Sequence, residues 1–149
     1  LAELYKTDDS LEQAIAYYDS SVNRAPMSDY GIKSKKMVDI LSKVDLFSKE
    51  TENIDHAQFL LAEIYFVDFE DPERAVTEYV KVYTDFPQSE WAPKAMYAQF
   101  WIAKDIFKND SLAQSLARDL LKRYPNSEYA QSASIFLPQS EDDKGWLEE

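Results

Sequence analysis

The stretch YPNSEYA, residues 124–130, decides how this chain is read, because its pattern occurs three times. FPQSEWA fills 86–92 and APMSDYG fills 25–31, and each places proline, any residue, serine, an acid and a large aromatic in that order. The physics of the motif is that of a helix-to-helix corner. Proline pushes the residue before it out of the α region and so closes one helix. The serine two positions later can cap the next helix, and the acid after it suits that helix's positive end. The corner residues are Pro26, Ser28 and Tyr30, then Pro87, Ser89 and Trp91, then Pro125, Ser127 and Tyr129. The aromatic is expected to wedge into the angle between consecutive helices.

Registering Pro87 on Pro125 sets a period of 38 residues. FEDPERAVTEYVKVYTDFPQSEWAPKA (69–95) then lies over FKNDSLAQSLARDLLKRYPNSEYAQSA (107–133), with Phe69 on Phe107, Ala75 on Ala113 and Ala92 on Ala130. DSLEQAIAYYDSSVNRAPMSDY (9–30) joins them, Ala14 falling on Ala75 and Pro26 on Pro87. A period of this length marks an array of supersecondary units, each covering its neighbour's apolar face. Before each proline the apolar residues follow helical spacing: Leu11, Ala14, Ile15, Tyr18 and Val22; Ala75, Val76, Tyr79, Val82 and Tyr83; Leu112, Ala113, Leu116 and Leu120. Asp71–Pro72 and Asn109 supply the starts of the second and third of these helices. IDHAQFLLAEIYFVDF (54–69) and WAPKAMYAQFWIAKDIF (91–107) form the partner helices, and Pro93 sits in a first turn that tolerates it.

The expected fold is therefore all-α, with antiparallel helical hairpins stacked as an α-solenoid of about seven or eight helices. A single domain is expected over 1–137, made of a partial repeat at 1–27, a long extra helix at 28–49, repeats at 54–87 and 91–125, and a capping helix at 127–137. Residues 138–149 read as an acidic tail, expected to be mobile in part unless Trp146 and Leu147 dock. The chain begins without Met, in a segment that reads as helix, and so is expected to be a piece of a longer protein.

Composition narrows the function classes. Hydrophobic residues make up 45% of the 149 and glycines number 2, which favours a helical core over hairpins or phosphate loops. With 16 basic against 28 acidic residues the net charge is −12, so a polyphosphate backbone is repelled and no nucleic-acid partner is expected. The absence of cysteine removes disulfides, thiolate nucleophiles and zinc–thiolate sites. No run approaches the roughly 20 apolar residues of a membrane span. His56 is the single histidine, and Phe59 and Leu60, its neighbours one turn on, are neither ligands nor nucleophiles. The acidic groups Glu70, Asp71, Glu73 and Glu141, Asp142, Asp143 lack the alternating ligands and turn glycine of a calcium loop. Neither a catalytic centre nor a metal or cofactor site is expected.

Leu61, Ala62, Tyr65, Ala75, Tyr79, Val82 and Pro87 resemble the pattern of the tetratricopeptide repeat, with one residue inserted near Glu70. The next copy departs from it at Gln99, Phe100 and Ala103, and the period is about four residues longer than the family's 34. The corner P-x-S-x-[YW]-A together with LAEIYFVDFEDPERAVTEYVKVYTDFP is similar to a narrower group, the bacterial cell-envelope tetratricopeptide proteins, among them Tol-Pal accessory and outer-membrane assembly lipoproteins. The resemblance implies an exported or lipid-anchored adaptor, in the periplasm or at the outer membrane, with a cytoplasmic setting still open. It also implies a concave face lined by the first helix of each pair: His56, Phe59, Glu63 and Phe66 in one repeat, and Lys94, Tyr97, Trp101 and Lys104 in the next. Such aromatics offer contact area at low entropic cost, and the two lysines suit an acidic segment. The plainer reading of Phe59, Phe66 and Tyr97 is packing between helices.

Residues 33–49 carry Lys33, Lys35, Lys36, Lys43 and Lys49 against Asp39 and Asp45, a local +3. This is either a docking face for an acidic partner or a solvated face balanced by Glu50, Glu52 and Asp55. The function expected is that of a non-catalytic scaffold for a protein or peptide partner. The alternatives are a self-assembly module and a regulatory domain of a larger enzyme.

Overall fold

A computed structural model of the chain describes residues 8–138, with side chains from Ser10 onward. The expectation for the tail with Trp146 and Leu147 falls on residues 139–149, which lie outside the described residues. Among the described residues there are seven α-helices and no strand: α1 (Asp8–Arg24), α2 (Asp29–Ser48), α3 (Ile54–Val67), α4 (Pro72–Asp85), α5 (Trp91–Trp101), α6 (Asp110–Arg123) and α7 (Glu128–Ser134). A π-helical turn, Ile102–Ile106, continues α5. The chain divides into two compact units, Leu1–Ala75 and Val76–Glu149.

In the first unit α2 packs on α1 and on α3. Leu11, Ile40, Leu41, Val44 and Ile64 form the core, with Ala14, Ile15, Tyr18, Met37, Phe47, Leu61 and Phe69 packed against it. Full burial of a leucine such as Leu41 contributes about 1.5–3 kcal/mol. The long helix 28–49 is thus tied to both neighbours by its apolar stripe. The α2–α3 break is shaped by Glu50, whose carboxylate accepts from the Thr51 and Glu52 N–H groups at 2.9 and 2.8 Å. Those bonds favour the ionised form and hold the Glu50 pKa below its ordinary value.

In the second unit α6 packs on α5, on the π turn and on α7, and α7 also touches α5. Ala92, Ala95, Ala117, Ala130 and Ala133 are all fully buried, and side chains this small let the helix backbones approach closely. Met96, Phe100, Leu116 and Leu120 are the large apolar side chains buried on α5 and α6, none more than 7% exposed. Gln99 lies on the same buried side of α5 and accepts a hydrogen bond from the Tyr83 hydroxyl at 2.6 Å, which satisfies both polar groups.

The 38-residue period recurs in the backbone bond by bond. Phe69 N–H donates to Ile64 C=O at 3.1 Å, and Phe107 N–H to Ile102 C=O at 2.9 Å. Asp71 N–H donates to Tyr65 C=O at 2.9 Å, and Asn109 N–H to Ala103 C=O at 2.8 Å. These wide turns close through Glu70 and Lys108, which adopt φ of 53° and 52° although neither is glycine. An L-residue in that region costs about 1–2 kcal/mol, offset here by the carbonyls that the turn satisfies. Asp71 and Asn109 then cap the following helices, their side chains accepting from Arg74 N–H at 2.9 Å and Leu112 N–H at 3.0 Å.

The corners repeat as well. Ser89 N–H donates to Phe86 C=O and Ser127 N–H to Tyr124 C=O, both at 3.0 Å. Ser89 and Ser127 hydroxyls accept from Trp91 N–H and Tyr129 N–H, two residues on. At the first corner Ser28 instead accepts from Gly31 N–H, three residues on, and its own hydroxyl donates to Ala25 C=O at 2.8 Å. Trp91 and Tyr129 are half-buried, whereas Tyr30 is 56% exposed and does not fill its corner.

Candidate functional site

The residues expected to line a recognition surface fall in both units. On α3, His56, Glu63 and Phe66 are half-buried, and Phe59 is only 2% exposed, so its ring is not presented to a partner. On α5 and the π turn, Lys94, Tyr97, Trp101 and Lys104 are all half-buried. Spacings of four and three residues set Tyr97, Trp101 and Lys104 along one side of the helix.

Around Tyr97 and Trp101 the second unit gathers a cluster of rings. Tyr97 lies nearly parallel to Phe100 with centroids 5.8 Å apart and meets Trp101 edge-on at 6.0 Å. Its other side meets the corner residue Tyr129 at 5.5 Å, which joins the third corner to this face. Phe136, just past α7, closes the cluster at 5.6 Å from Phe100 and 5.3 Å from Trp101. The Lys104 ammonium lies 4.9 Å from the Trp101 ring centre and 4.8 Å from that of Phe136, and 3.2 Å from Asp105 Oδ1. Both ring faces are electron-rich, so this cation is held in place between them. Lys94 lies over Trp91 at 5.2 Å. Phe136 was not among the residues that the sequence nominated.

Below the rings is a depression of about 220 Å3, walled by Phe100, Lys104, Asp110, Ala113, Gln114 and Phe136. A second, of about 310 Å3, lies between the two corners of this unit, where the Tyr124 hydroxyl donates to Pro87 C=O at 3.1 Å. The Arg123 guanidinium stands over the Tyr83 and Tyr124 rings, at 5.5 and 6.0 Å.

Comparison of this chain with family models, with curated proteins and with solved structures found no match in any of the three. The geometry therefore carries the chemical reading. Among the described residues no group of three or more His, Cys, Asp or Glu side chains could hold a metal ion. No helix among them is long and apolar enough to cross a membrane. What the second unit offers is a partly exposed aromatic face with one fixed cation.

Burial pushes the phenol pKa values of Tyr83, Tyr124 and Tyr129 above the ordinary 10.0, and for Tyr83 and Tyr124 the nearby Arg123 opposes the shift. The folded state favours the neutral phenol, so above pH 10 the unfolded chain loses these protons first. Stability is accordingly retained below the ordinary value and falls as the pH climbs from it towards the raised ones. Urea midpoints measured on either side of pH 10 should show this fall. Tyr83→Phe should make it shallower; an unchanged slope in that variant would show that Tyr83 does not contribute.

Proposed function

We propose that this chain is a non-catalytic helical scaffold that binds a protein or peptide segment through the face carrying Tyr97, Trp101, Lys104 and Phe136. The observation that supports this reading is the ring cluster, which leaves Phe136 40% exposed and Tyr97, Trp101 and Lys104 half-exposed. Rings already held by one another lose little entropy on contact, and Lys104 adds a positive point that prefers a carboxylate at the edge of an apolar segment. Resemblance to envelope tetratricopeptide proteins favours a setting in bacterial cell-envelope assembly or trafficking. The His56, Glu63 and Phe66 stripe is a further contact surface on this reading.

A second reading rests on Ile135 and Ile106, 74% and 51% exposed: apolar side chains of this kind suit association with a second copy. Sedimentation at several concentrations separates the two, since only self-assembly makes the mass depend on concentration.

The test of the first reading is capture of partners on the immobilised chain, followed by titration with wild type, Tyr97→Ala and Trp101→Ala, each variant checked for helicity. Loss of an aromatic at the centre of an interface costs about 2 kcal/mol or more, which is roughly thirtyfold in Kd. Partners bound equally well by both variants would remove this face from the interface.

A further inference from the structure

The two corners of the second unit line one depression with matched residues. Pro87, Gln88 and Ser89 from one corner and Pro125, Asn126 and Ser127 from the next border a space of about 310 Å3, at the small end of the roughly 300–1,000 Å3 of small-ligand sites. In the 38-residue register these triplets coincide position by position, whereas the first corner has Met27 in place of the amide. The Tyr124 hydroxyl, donating to Pro87 C=O at 3.1 Å, ties the two corners together. None of the lining residues is buried, so a ligand can reach them from solvent.

Arg123 lines the same space, and its charge is uncompensated there. Its guanidinium is held over the Tyr83 and Tyr124 rings, at 5.5 and 6.0 Å, contacts that fix the cation without supplying an oxygen for its N–H groups. Among the described residues no carboxylate comes within 4.0 Å of it and no acceptor takes its N–H groups. Even Asp119, one turn earlier on α6, stays out of ion-pair range. The Gln88 and Asn126 amides also have no partner among the described residues, and the Ser127 hydroxyl accepts from Tyr129 N–H but donates to none of them. No acidic side chain lines the depression.

We propose that this depression binds a carboxylate borne on an apolar group, with Arg123 pairing the carboxylate and Pro87, Pro93 and Pro125 covering the apolar part. A guanidinium fork matches one carboxylate bidentately, and a single cation in a chain of net −12 suits a monoanion better than a phosphate dianion. Gln88, Asn126 and Ser127 supply the further donors that a partly desolvated carboxylate needs. Because the rings hold Arg123 beforehand, little side-chain entropy is lost on binding. Packing does not call for the cation. In register Arg123 falls on Asp85 and Tyr124 on Phe86, and the corner at Pro87 closes through the same Ser N–H bond at 3.0 Å without it. The site is separate from the Trp101 face and does not rest on the role proposed for that face.

Phenylacetate and its neutral isostere phenylacetamide are the probes, titrated into the full chain and followed by the backbone amide signals of Ser89 and Ser127 and the Arg123 Nε–H signal. The result expected is saturable shifts at all three with phenylacetate, and a Kd at least tenfold weaker for phenylacetamide and for phenylacetate with Arg123→Gln. Arg123 is exposed, so that substitution leaves the core intact. Arg118→Gln, which removes another exposed cation of α6, should bind phenylacetate as the parent does. A blocked phenylalanyl-aspartyl amide, which has no terminal carboxylate, distinguishes the sources: tighter binding than phenylacetate assigns the site to an acidic side chain of a partner, weaker binding to a small free acid, and either bears the proposal out. Equal binding of phenylacetate and phenylacetamide would overturn it. So would parent-like binding by Arg123→Gln, an equal loss in Arg118→Gln, or failure of both carboxylates to saturate these signals.

Discussion

Phe100→Ala is expected to lower the stability of the second unit by about 3–5 kcal/mol, the range for a buried aromatic truncated in a packed core. Phe100 is 1% exposed. Its ring is in contact range of Tyr97, Trp101 and Phe136 at centroid distances of 5.4–5.8 Å, and each of these is held by a further neighbour, Tyr97 by Tyr129 and Trp101 by Lys104. The walls of the hole are therefore poorly able to collapse into it, which places the cost in the upper part of the range. Tryptophan emission is a suitable probe, because Trp91 and Trp101 both lie in this unit. Phe136→Ala is the control. That ring is 40% exposed, so its removal forfeits only part of its transfer energy, about 1 kcal/mol. If the two variants lost the same stability, or Phe100→Ala lost less than Phe136→Ala, the ring cluster would not be packed as described.

The 38-residue period was legible because it repeats backbone bonds as well as apolar positions. Pro87 and Pro125 end helices, Ser89 and Ser127 accept from the Trp91 and Tyr129 N–H groups where the next helices begin, and Asp71 and Asn109 cap α4 and α6. The shape of the turns through Glu70 and Lys108 was not legible, since neither carries the glycine that usually marks positive φ. Two signs were available: the residue inserted near Glu70 relative to the tetratricopeptide pattern, and a period about four residues longer than that pattern's. At the candidate site, Tyr97, Trp101 and Lys104 could be placed on one stripe from their spacing alone. Phe136 could not. In register it falls on Ala98, a position that says nothing about Trp101 or Lys104, and it reaches both only because α7 ends at Ser134 and the chain turns there. Phe59 shows the converse: helical spacing placed it on the lining stripe, and burial took it out of reach. The first corner looks like the others in sequence yet uses a different hydrogen-bond geometry, and the cause is Gly31.

Gly31→Ala is expected to destabilise the first unit by about 2–3 kcal/mol, against the usual direction of a glycine-to-alanine change inside a helix, which gains about 0.8–1 kcal/mol. A Cβ built on Gly31 would stand 2.0 Å from Ala25 O and 3.0 Å from Ala25 C. Carbon and oxygen approach no closer than about 3.3 Å even in C–H···O contacts, so one backbone must retreat by more than 1 Å. Ala25 C=O cannot retreat freely, because it accepts from both the Ser28 N–H at 3.1 Å and the Ser28 hydroxyl at 2.8 Å. The Ser28 side chain is in turn the acceptor for Gly31 N–H at 3.0 Å, so the displacement that relieves the clash also opens the cap of α2. Overpacking of about 1–3 kcal/mol and two weakened hydrogen bonds at about 0.5–1.5 kcal/mol each outweigh the helix-propensity gain. The other corners carry Ala92 and Ala130 at this place, but there Phe86 and Tyr124 stand where the first has Ala25, and the serine caps one residue earlier. Helicity followed through a urea titration should show the lost stability, and amide exchange should quicken at Ser28 and Gly31. A variant as stable as the parent, with both amides still protected, would mean that α1 and α2 do not meet through Ala25 and Gly31.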